Sequence, residues 1–282
     1  MNTNNLGTLY IVATPIGNLQ DMTLRAIETL KSVDCIAAED TRHSSSLLRQ
    51  FAISTPIIAL HEHNERERAS HLLAKLLQGQ SIALISDAGT PLISDPGFFL
   101  VRAVREAGVR IVPIPGACAA VAALSVAGLP TDRFVFEGFL PAKTKARLDR
   151  LQNLVAETRT LIFYESPHRI LECLEAMLEV FGSARQVVIA RELTKTFETL
   201  RAGSLVDLVE WTKSDANQQR GEFVVLVEGN EEKVNADLLC AEKIVSILLA
   251  ELPVKQAVDL AVKITGEKKN FLYDLALKIK NN

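Results

Sequence analysis

The sequence is poor in cysteine, in excess charge of either sign and in long apolar runs, and each shortage excludes something. Its four cysteines, Cys35, Cys118, Cys173 and Cys240, are too far apart for a CxxC or zinc-knuckle spacing. Neither a disulfide framework nor a structural zinc site is therefore expected, and all four read as small, reduced, apolar side chains. Formal net charge is −3, so the whole molecule is not a polycation, and any contact with nucleic acid must come from local basic patches. The longest apolar stretch, Ala117 to Leu129, is alanine-rich and bounded by Gly116 and Pro130. It falls short of the roughly 20 residues that span a bilayer and reads as a buried helix, so no membrane partner is expected. Met1 to Asn5 carry no Lys or Arg, and Pro15 and Gly17 interrupt the apolar run that follows, which does not suit a signal peptide. There is no G-x-x-x-x-G-K-[ST] element, no G-x-G-x-x-G after the first strand and no H-E-x-x-H. His61-Glu62-His63 comes nearest to a metal motif but lacks a third ligand, so no metal is expected.

What is present suits a well-buried core, with 48% hydrophobic and 23% charged residues in 282. The first half alternates strand and helix patterns. Thr8–Ala13, Cys35–Ala38, Pro56–Leu60, Ser81–Ile85 and Val109–Ile114 read as strands, and Met22–Val33, Asn64–Leu77 and Phe98–Ala107 as helices. Such alternation predicts a mostly parallel sheet covered on both faces, with ligands outside the carboxyl ends of its strands.

From about Phe134 the texture changes. Phe134–Phe139, Thr160–Tyr164, Gln186–Arg191, Phe197–Ala202 and Glu222–Glu228 are strand-like, with helical patterns at Thr144–Val155 and Pro167–Phe181. The consecutive strands near 197 and 222 suggest some antiparallel pairing. After Asn230 come three helical patterns, Leu238–Ala250, Val254–Thr265 and Lys269–Ile279, with Pro253 starting the second and Gly266 ending it. Residues 233–282 hold eight lysines and six acids, a charge of +2, which leaves −5 on the remainder (−3 − 2). The last two helices are spaced like a helix-turn-helix. The expected organisation is a parallel α/β domain over 1–115, a second α/β domain with a mixed sheet over 116–232, and a helical segment over 233–282 that either packs as an appendage or touches RNA.

Three loops stand out. Thr14-Pro15-Ile16-Gly17-Asn18 makes a tight turn after the first strand. Ser86 to Gly97 is a long, stiff loop with two Gly and two Pro, longer than most strand-to-helix connections. Pro115-Gly116-Ala117-Cys118-Ala119-Ala120 follows the next strand, and its small side chains allow a flat ligand close to the backbone. Together the three could wall one pocket.

These loops resemble those of the tetrapyrrole methylases, the class III methyltransferases. The wording of Thr14–Asn18, Ala38-Glu-Asp-Thr-Arg42, Ser86-Asp-Ala-Gly-Thr-Pro91, Tyr164-Glu-Ser-Pro-His-Arg169 and Ala190-Arg-Glu-Leu-Thr-Lys195 is more narrowly similar to the bacterial branch that methylates a ribose of 16S ribosomal RNA. The resemblance spans residues 7 to about 280. It implies two α/β domains with the cofactor cleft between them plus a small C-terminal helical segment, usually in a homodimer. It also implies a cytoplasmic enzyme using S-adenosyl-L-methionine to methylate the 2′-hydroxyl of a cytidine in 16S rRNA of the 30S subunit. Pro15, Asp87, Ala88, Gly89, Thr90, Pro91, Ile93, Cys118 and Ala119 would then hold the cofactor. The family's Gly-Asp-Pro element falls on Gly89-Thr90-Pro91, where threonine replaces the acid and Asp87 stands two residues earlier.

Transfer to a hydroxyl requires alignment of the reacting atoms and an acceptor for the proton. Glu39 and Asp40, at the end of the second strand, could orient the ribose hydroxyl while Arg42 holds a phosphate. The alternative there is a structural pair or a helix cap. Lys143, Lys145, Arg147 and Arg150 form a basic run suited to RNA backbone, or a solvated helix face. Arg169, at a helix start led by Ser166-Pro167, suits an anion, with capping by Ser166 as the alternative. Arg191, Glu192 and Lys195 follow a strand and could face the same cleft. Two rival readings are methylation of a tetrapyrrole carbon, which leaves the +2 tail and the 143–150 run without a purpose, and a non-catalytic ribosome-associated RNA-binding module, which leaves the small-residue loops without one.

Overall fold

A computed structural model describes residues 6–61, 63–230 and 233–281, with side chains described outside 233–240 and 281. Met1–Asn5, Glu62 and the Cys240 side chain, which the sequence analysis used, lie outside it. Five short apolar runs form the first sheet: β1 (Thr8–Val12), β2 (Cys35–Ala38), β3 (Ile57–Ala59), β4 (Ile82–Ile85) and β5 (Arg110–Ile114). Every pairing is parallel, in the order β3-β2-β4-β1-β5. β2 and β4 are buried at every position because helices cover both faces. One face packs Leu72, Leu76, Leu100 and Val104 of α3 (Glu65–Leu77) and α4 (Phe98–Glu106). The other packs Ala26, Leu30 and Leu48 of α1 (Leu24–Ser32) and α2 (Thr41–Gln50).

The alanine-rich segment forms α5 (Ala119–Val126), which buries Ala120, Ala123 and Leu124 against the second sheet. That sheet contains β6 (Phe134–Phe139), β7 (Thr160–Glu165), β8 (Gln186–Arg191), β9 (Thr199–Ser204) and β10 (Phe223–Val227), in the order β6-β7-β10-β8-β9. β6 and β7 are parallel, and all other pairs are antiparallel. The strands near 197 and 222 do not pair with each other, because β8 lies between them. α6 (Thr144–Gln152), α7 (Ile170–Phe181) and α8 (Leu205–Ser214) complete this half.

Two helices depart from the expected pattern. α2 had no apolar stripe to announce it, being Thr-Arg-His-Ser-Ser-Ser before its first leucine. Its start is fixed by Asp40, whose side chain accepts from the N–H groups of Arg42 and His43. α8 begins in the same way at Ser204, whose hydroxyl accepts from the N–H of Asp207 and donates to its carboxylate.

The chain divides into two contact-defined units, 1–152 with 160–228, and 153–159 with 229–282. The second unit holds α9 (Lys233–Glu251), α10 (Val254–Thr265) and α11 (Lys269–Asn281). Ala241, Val245, Val258, Ala261, Leu272, Leu275 and Ala276 form its own core. Gly266, in the left-handed conformation at φ 75°, ends α10. No described helix is long and apolar enough to cross a membrane.

Candidate active site

The carboxyl ends of β1, β4 and β5 present the three loops noted in the sequence, and hydrogen bonds lock them together. Thr14 and Gly89 exchange backbone hydrogen bonds at 2.8 and 3.0 Å, and the buried Thr14 hydroxyl donates to the carbonyl of Ser86 at 3.2 Å. Gly89 sits at φ 84°, a conformation that favours glycine. Thr90 Oγ1 donates to the carbonyl of Ala117 at 3.0 Å and ties the second loop to the third. Asp87 Oδ1 accepts from the backbone N–H of Asp40 at 3.1 Å. At the loop's far end the buried Glu65 carboxylate accepts from Gly97 N (3.1 Å) and Phe99 N (2.7 Å), capping α4 where glycine offers no side chain. Between these anchors Leu92 and Ser94 hold positive φ, 73° and 68°. Non-glycine residues kept in that region mark a loop over-determined by its surroundings, a feature that clusters at functional sites.

The second sheet faces the same space with the ends of β7 and β8. β10 runs antiparallel to both, so its first residues lie beside those ends. The result is a cavity of about 350 Å³, within the range of small-molecule sites. The first half contributes Ile16, Asp87–Thr90, Ile93–Asp95, Cys118 and Ala119. The second contributes Phe139, Tyr164–Pro167, Ala190, Glu192, Leu193, Lys195 and Glu222–Val224. The Tyr164 hydroxyl accepts from the N–H of Ala120 at 3.1 Å, which fixes the start of α5 against β7. Burial, with Cys118 beside it, holds the Tyr164 phenol above its ordinary range and keeps it neutral.

Five carboxylates and one lysine line the cavity, which therefore favours a cation over a polyanion. Glu192 and Glu222 share Lys195 at 2.8 and 2.7 Å. Burial pushes Glu192 upward, but the ammonium of Lys195 outweighs it and the carboxyl lies below its usual range. Glu165 lies 3.5 Å from Arg169. Asp95 is different. Burial raises its pKa to about 6, against the hydrogen bond it takes from Ser86, with Asp87 adding to the rise.

Of the residues singled out from sequence for a cofactor, Asp87, Ala88, Gly89, Thr90, Ile93, Cys118 and Ala119 line this cavity, while Pro15 and Pro91 are not among its lining residues. Glu192 and Lys195 also line it, whereas Arg191 is buried with its Nε on the carbonyl of Arg220. Glu39, Asp40 and Arg42 are not among the lining residues, and the Asp40 carboxylate is occupied as the cap of α2. Lys143 and Lys145 are exposed. Arg147 corrects the reading of the basic run: it is 2% exposed and lies 3.2 Å from Glu172, so it faces α7 and not solvent. Helical spacing explains this, since Arg147 shares a stripe with buried Leu151. Arg169 Nη2 donates to the carbonyl of Leu140 at 2.5 Å and lies 3.5 Å from Glu165 Oε2, so one arm of the guanidinium is held within the fold. Asp95 and Tyr164 stand inside the loop and motif picked from sequence but were given no role there, and Phe139 was not singled out, because its place at the cavity depends on the paired second sheet.

The family is that of the methylases. Residues 8–209 match the Tetrapyrrole (Corrin/Porphyrin) Methylases, and the chain belongs to that family. Residues 235–280 match the RsmI C-terminal HTH domain. Among curated relatives, the Ribosomal RNA small subunit methyltransferase I of Pseudomonas aeruginosa is 57% identical over 96% of this chain and 97% of its own length. That of Haemophilus influenzae is 56% identical over 98% of both chains. Two solved structures share the fold: the cobalt precorrin-4 methyltransferase (TM-score 0.59, 16% identity, 78% of this chain and 94% of that one) and diphthine synthase (TM-score 0.60, 14% identity, 79% and 90%).

Proposed function

We propose that this chain transfers a methyl group from S-adenosylmethionine to the ribose 2′-hydroxyl of a cytidine in the 16S rRNA of the small ribosomal subunit. The observation that carries the reading is the near-full-length identity with ribosomal RNA small subunit methyltransferases I, which extends through the helical C-terminal unit. Family resemblance supplies the 2′-hydroxyl and the cytidine. A homodimer acting in the cytoplasm belongs to the same reading.

The cavity residues fit the donor. Gly89, at φ 84°, and the small side chains of Ala88, Cys118 and Ala119 leave backbone accessible to a flat nucleoside. The excess of carboxylates suits a ligand that carries a sulfonium and an ammonium. Asp87, Thr90 and Ile93 would hold the donor on one side, with Pro15 and Pro91 fixing the turns of these loops. When bound, the donor supplies an electrophilic methyl on sulfur. The protein aligns the hydroxyl with it and takes up the hydroxyl proton. Asp95 is the carboxylate best suited to that uptake, because it lines the cavity without a cationic partner and is more basic than an ordinary aspartate. Asp40 acts from behind Asp87, through the hydrogen bond its backbone N–H donates to that carboxylate, and Glu39 and Arg42 flank it in sequence. Lys143 and Lys145 carry RNA phosphate outside the acidic cavity, with Arg169 fixing the chain that leads to them.

Transfer of labelled methyl groups to purified 30S subunits and to a reduced tetrapyrrole, in parallel reactions, tests the reading. Label is expected in 16S rRNA. Label in the tetrapyrrole alone would overturn the assignment in favour of tetrapyrrole methylation.

A further inference from the structure

Phe136 and Phe139 are three residues apart on β6, and in an unbroken strand their side chains would point to opposite faces. Instead both rings meet Tyr164 edge to face, with centroids at 5.0 and 5.8 Å. The pairing of β6 with β7 explains this. Phe136 pairs with Ile162 and Gly138 with Phe163, so β6 carries one extra residue there. Gly138 adopts φ 64°, and a Cβ on it would lie 3.2 Å from Ser94 Oγ. A bulge of this kind re-aims every side chain beyond it, and bulges are over-represented beside active sites. Here it brings Phe139 onto the cavity side. Phe136 is half-buried there, but Phe139 is 53% exposed while lining the cavity. One edge of a large apolar ring is thus fixed against Tyr164 and the rest is left open at the lip. The next residue is also fixed, because Arg169 holds the carbonyl of Leu140. From there the chain reaches exposed Lys143 and Lys145 within a few residues.

We infer that Phe139 is a stacking platform for the base of the nucleotide to be methylated, with residues 140–145 leading the adjoining RNA backbone away from the cavity. This rests on the proposed RNA substrate. The ligand chemistry is a flat heterocycle, and two are available: the substrate base and the adenine of the donor. The exposed lip and the nearby exposed Lys143 and Lys145 favour the base. A base must leave its stack to lie on such a ring, so the target nucleotide is splayed out of a single-stranded or opened segment.

The test uses the full chain. Phe139→Ala, Phe139→Leu and Phe139→Trp are compared by fluorescence anisotropy with a short single-stranded RNA containing cytidine, without methyl donor. Calorimetry with S-adenosylmethionine and steady-state transfer to 30S subunits run beside it. The Ala and Leu variants should lose RNA affinity by about fivefold or more, the low end of what stacking one base contributes, and Trp should restore it. KM for 30S subunits should rise in the same variants, while donor affinity stays within about twofold. RNA affinity unchanged in Ala and Leu would overturn the inference, and donor affinity falling in step with RNA affinity would assign the ring to adenine. Should wild-type protein fail to methylate 30S subunits, the proposed function fails, and the anisotropy comparison alone decides the platform.

Discussion

The backbone N–H of Asp40 donates to Asp87 Oδ1 at 3.1 Å, so two acids from separate sequence motifs share one hydrogen bond. The Asp40 carboxylate itself points to its own helix, accepting from Arg42 and His43, and those bonds lower its pKa. A lowered pKa in the folded state means that the cap contributes stability at neutral pH and loses it as pH falls below about 4. Asparagine caps helices about as well as aspartate, and alanine does not. Asp40→Asn should therefore keep both thermal stability and methyl transfer near wild type at pH 7.5. Asp40→Ala should melt at lower temperature, and its deficit should shrink in acid. Melting curves across pH, with turnover on the same samples, check this. Loss of turnover in a fully stable Asp40→Asn would give the carboxylate a direct part in the chemistry.

Asp95 should behave in the opposite sense. Burial raises its pKa to about 6 in the folded protein. The folded state therefore takes up a proton between pH 4 and 6, where the unfolded chain has already lost it. Stability from this group falls as pH rises through that window, and Asp95→Asn should flatten the dependence. The groups around it are Asp87, Tyr164 and Cys118, with Glu165, Glu192, Lys195 and Glu222 across the cavity. As proton acceptor, Asp95 should make kcat/KM of the wild type fall with acid below about pH 6, and Asp95→Asn should lose about a hundredfold or more in turnover. Full turnover in Asp95→Asn, as measured by initial rates on 30S subunits, would remove it from the chemistry.

The Thr90 hydroxyl spans to the carbonyl of Ala117 at 3.0 Å. A hydrogen bond of this kind contributes about 0.5–1.5 kcal/mol. Thr90→Ala should release the loops from each other and weaken S-adenosylmethionine binding by about two- to tenfold. Thr90→Ser should retain the bond and the affinity. Calorimetry on the two variants separates the hydroxyl from the methyl group, and equal affinity in both would leave the tie without a part in donor binding.

The basic run at 143–150 divides by burial. Lys143→Ala and Lys145→Ala should each weaken 30S binding and lower its salt dependence, as loss of a phosphate contact does. Arg147→Met should leave both unchanged, since Arg147 is 2% exposed. It removes only one partner of the Arg147–Glu172 pair, so its melting temperature should fall, and RNA binding is compared on folded samples. Reduced RNA affinity in a folded Arg147→Met would show that α6 moves to expose it.

How much of this was legible in the sequence depends on the range of the interactions. The loops after β1, β4 and β5 carry their signal locally, in glycine, proline and small residues, and seven of the nine residues picked from them line the cavity. The parallel sheet was legible from apolar runs such as Cys-Ile-Ala-Ala, which is buried at all four positions. The extent of α2 was missed because its polar first turns hide the helical period, although Asp40 already reads as a cap; α8 was missed despite the spacing of Leu205, Leu208, Val209 and Thr212 and the Ser204–Asp207 pair at its start. Arg147 was misjudged by counting charge along the chain and not around the helix. Phe139 was beyond reach, because its direction depends on a bulge defined only by pairing with β7.

The most direct measurement maps the product. Wild-type protein is incubated with methyl-labelled S-adenosylmethionine and 30S subunits from a strain lacking this activity, and the 16S rRNA is then digested with alkali. A 2′-O-methyl group blocks cleavage at its own nucleotide, so the account predicts label in a single alkali-resistant dinucleotide whose 5′ residue is cytidine. Label released as an ordinary mononucleotide would place the methyl on a base and contradict it.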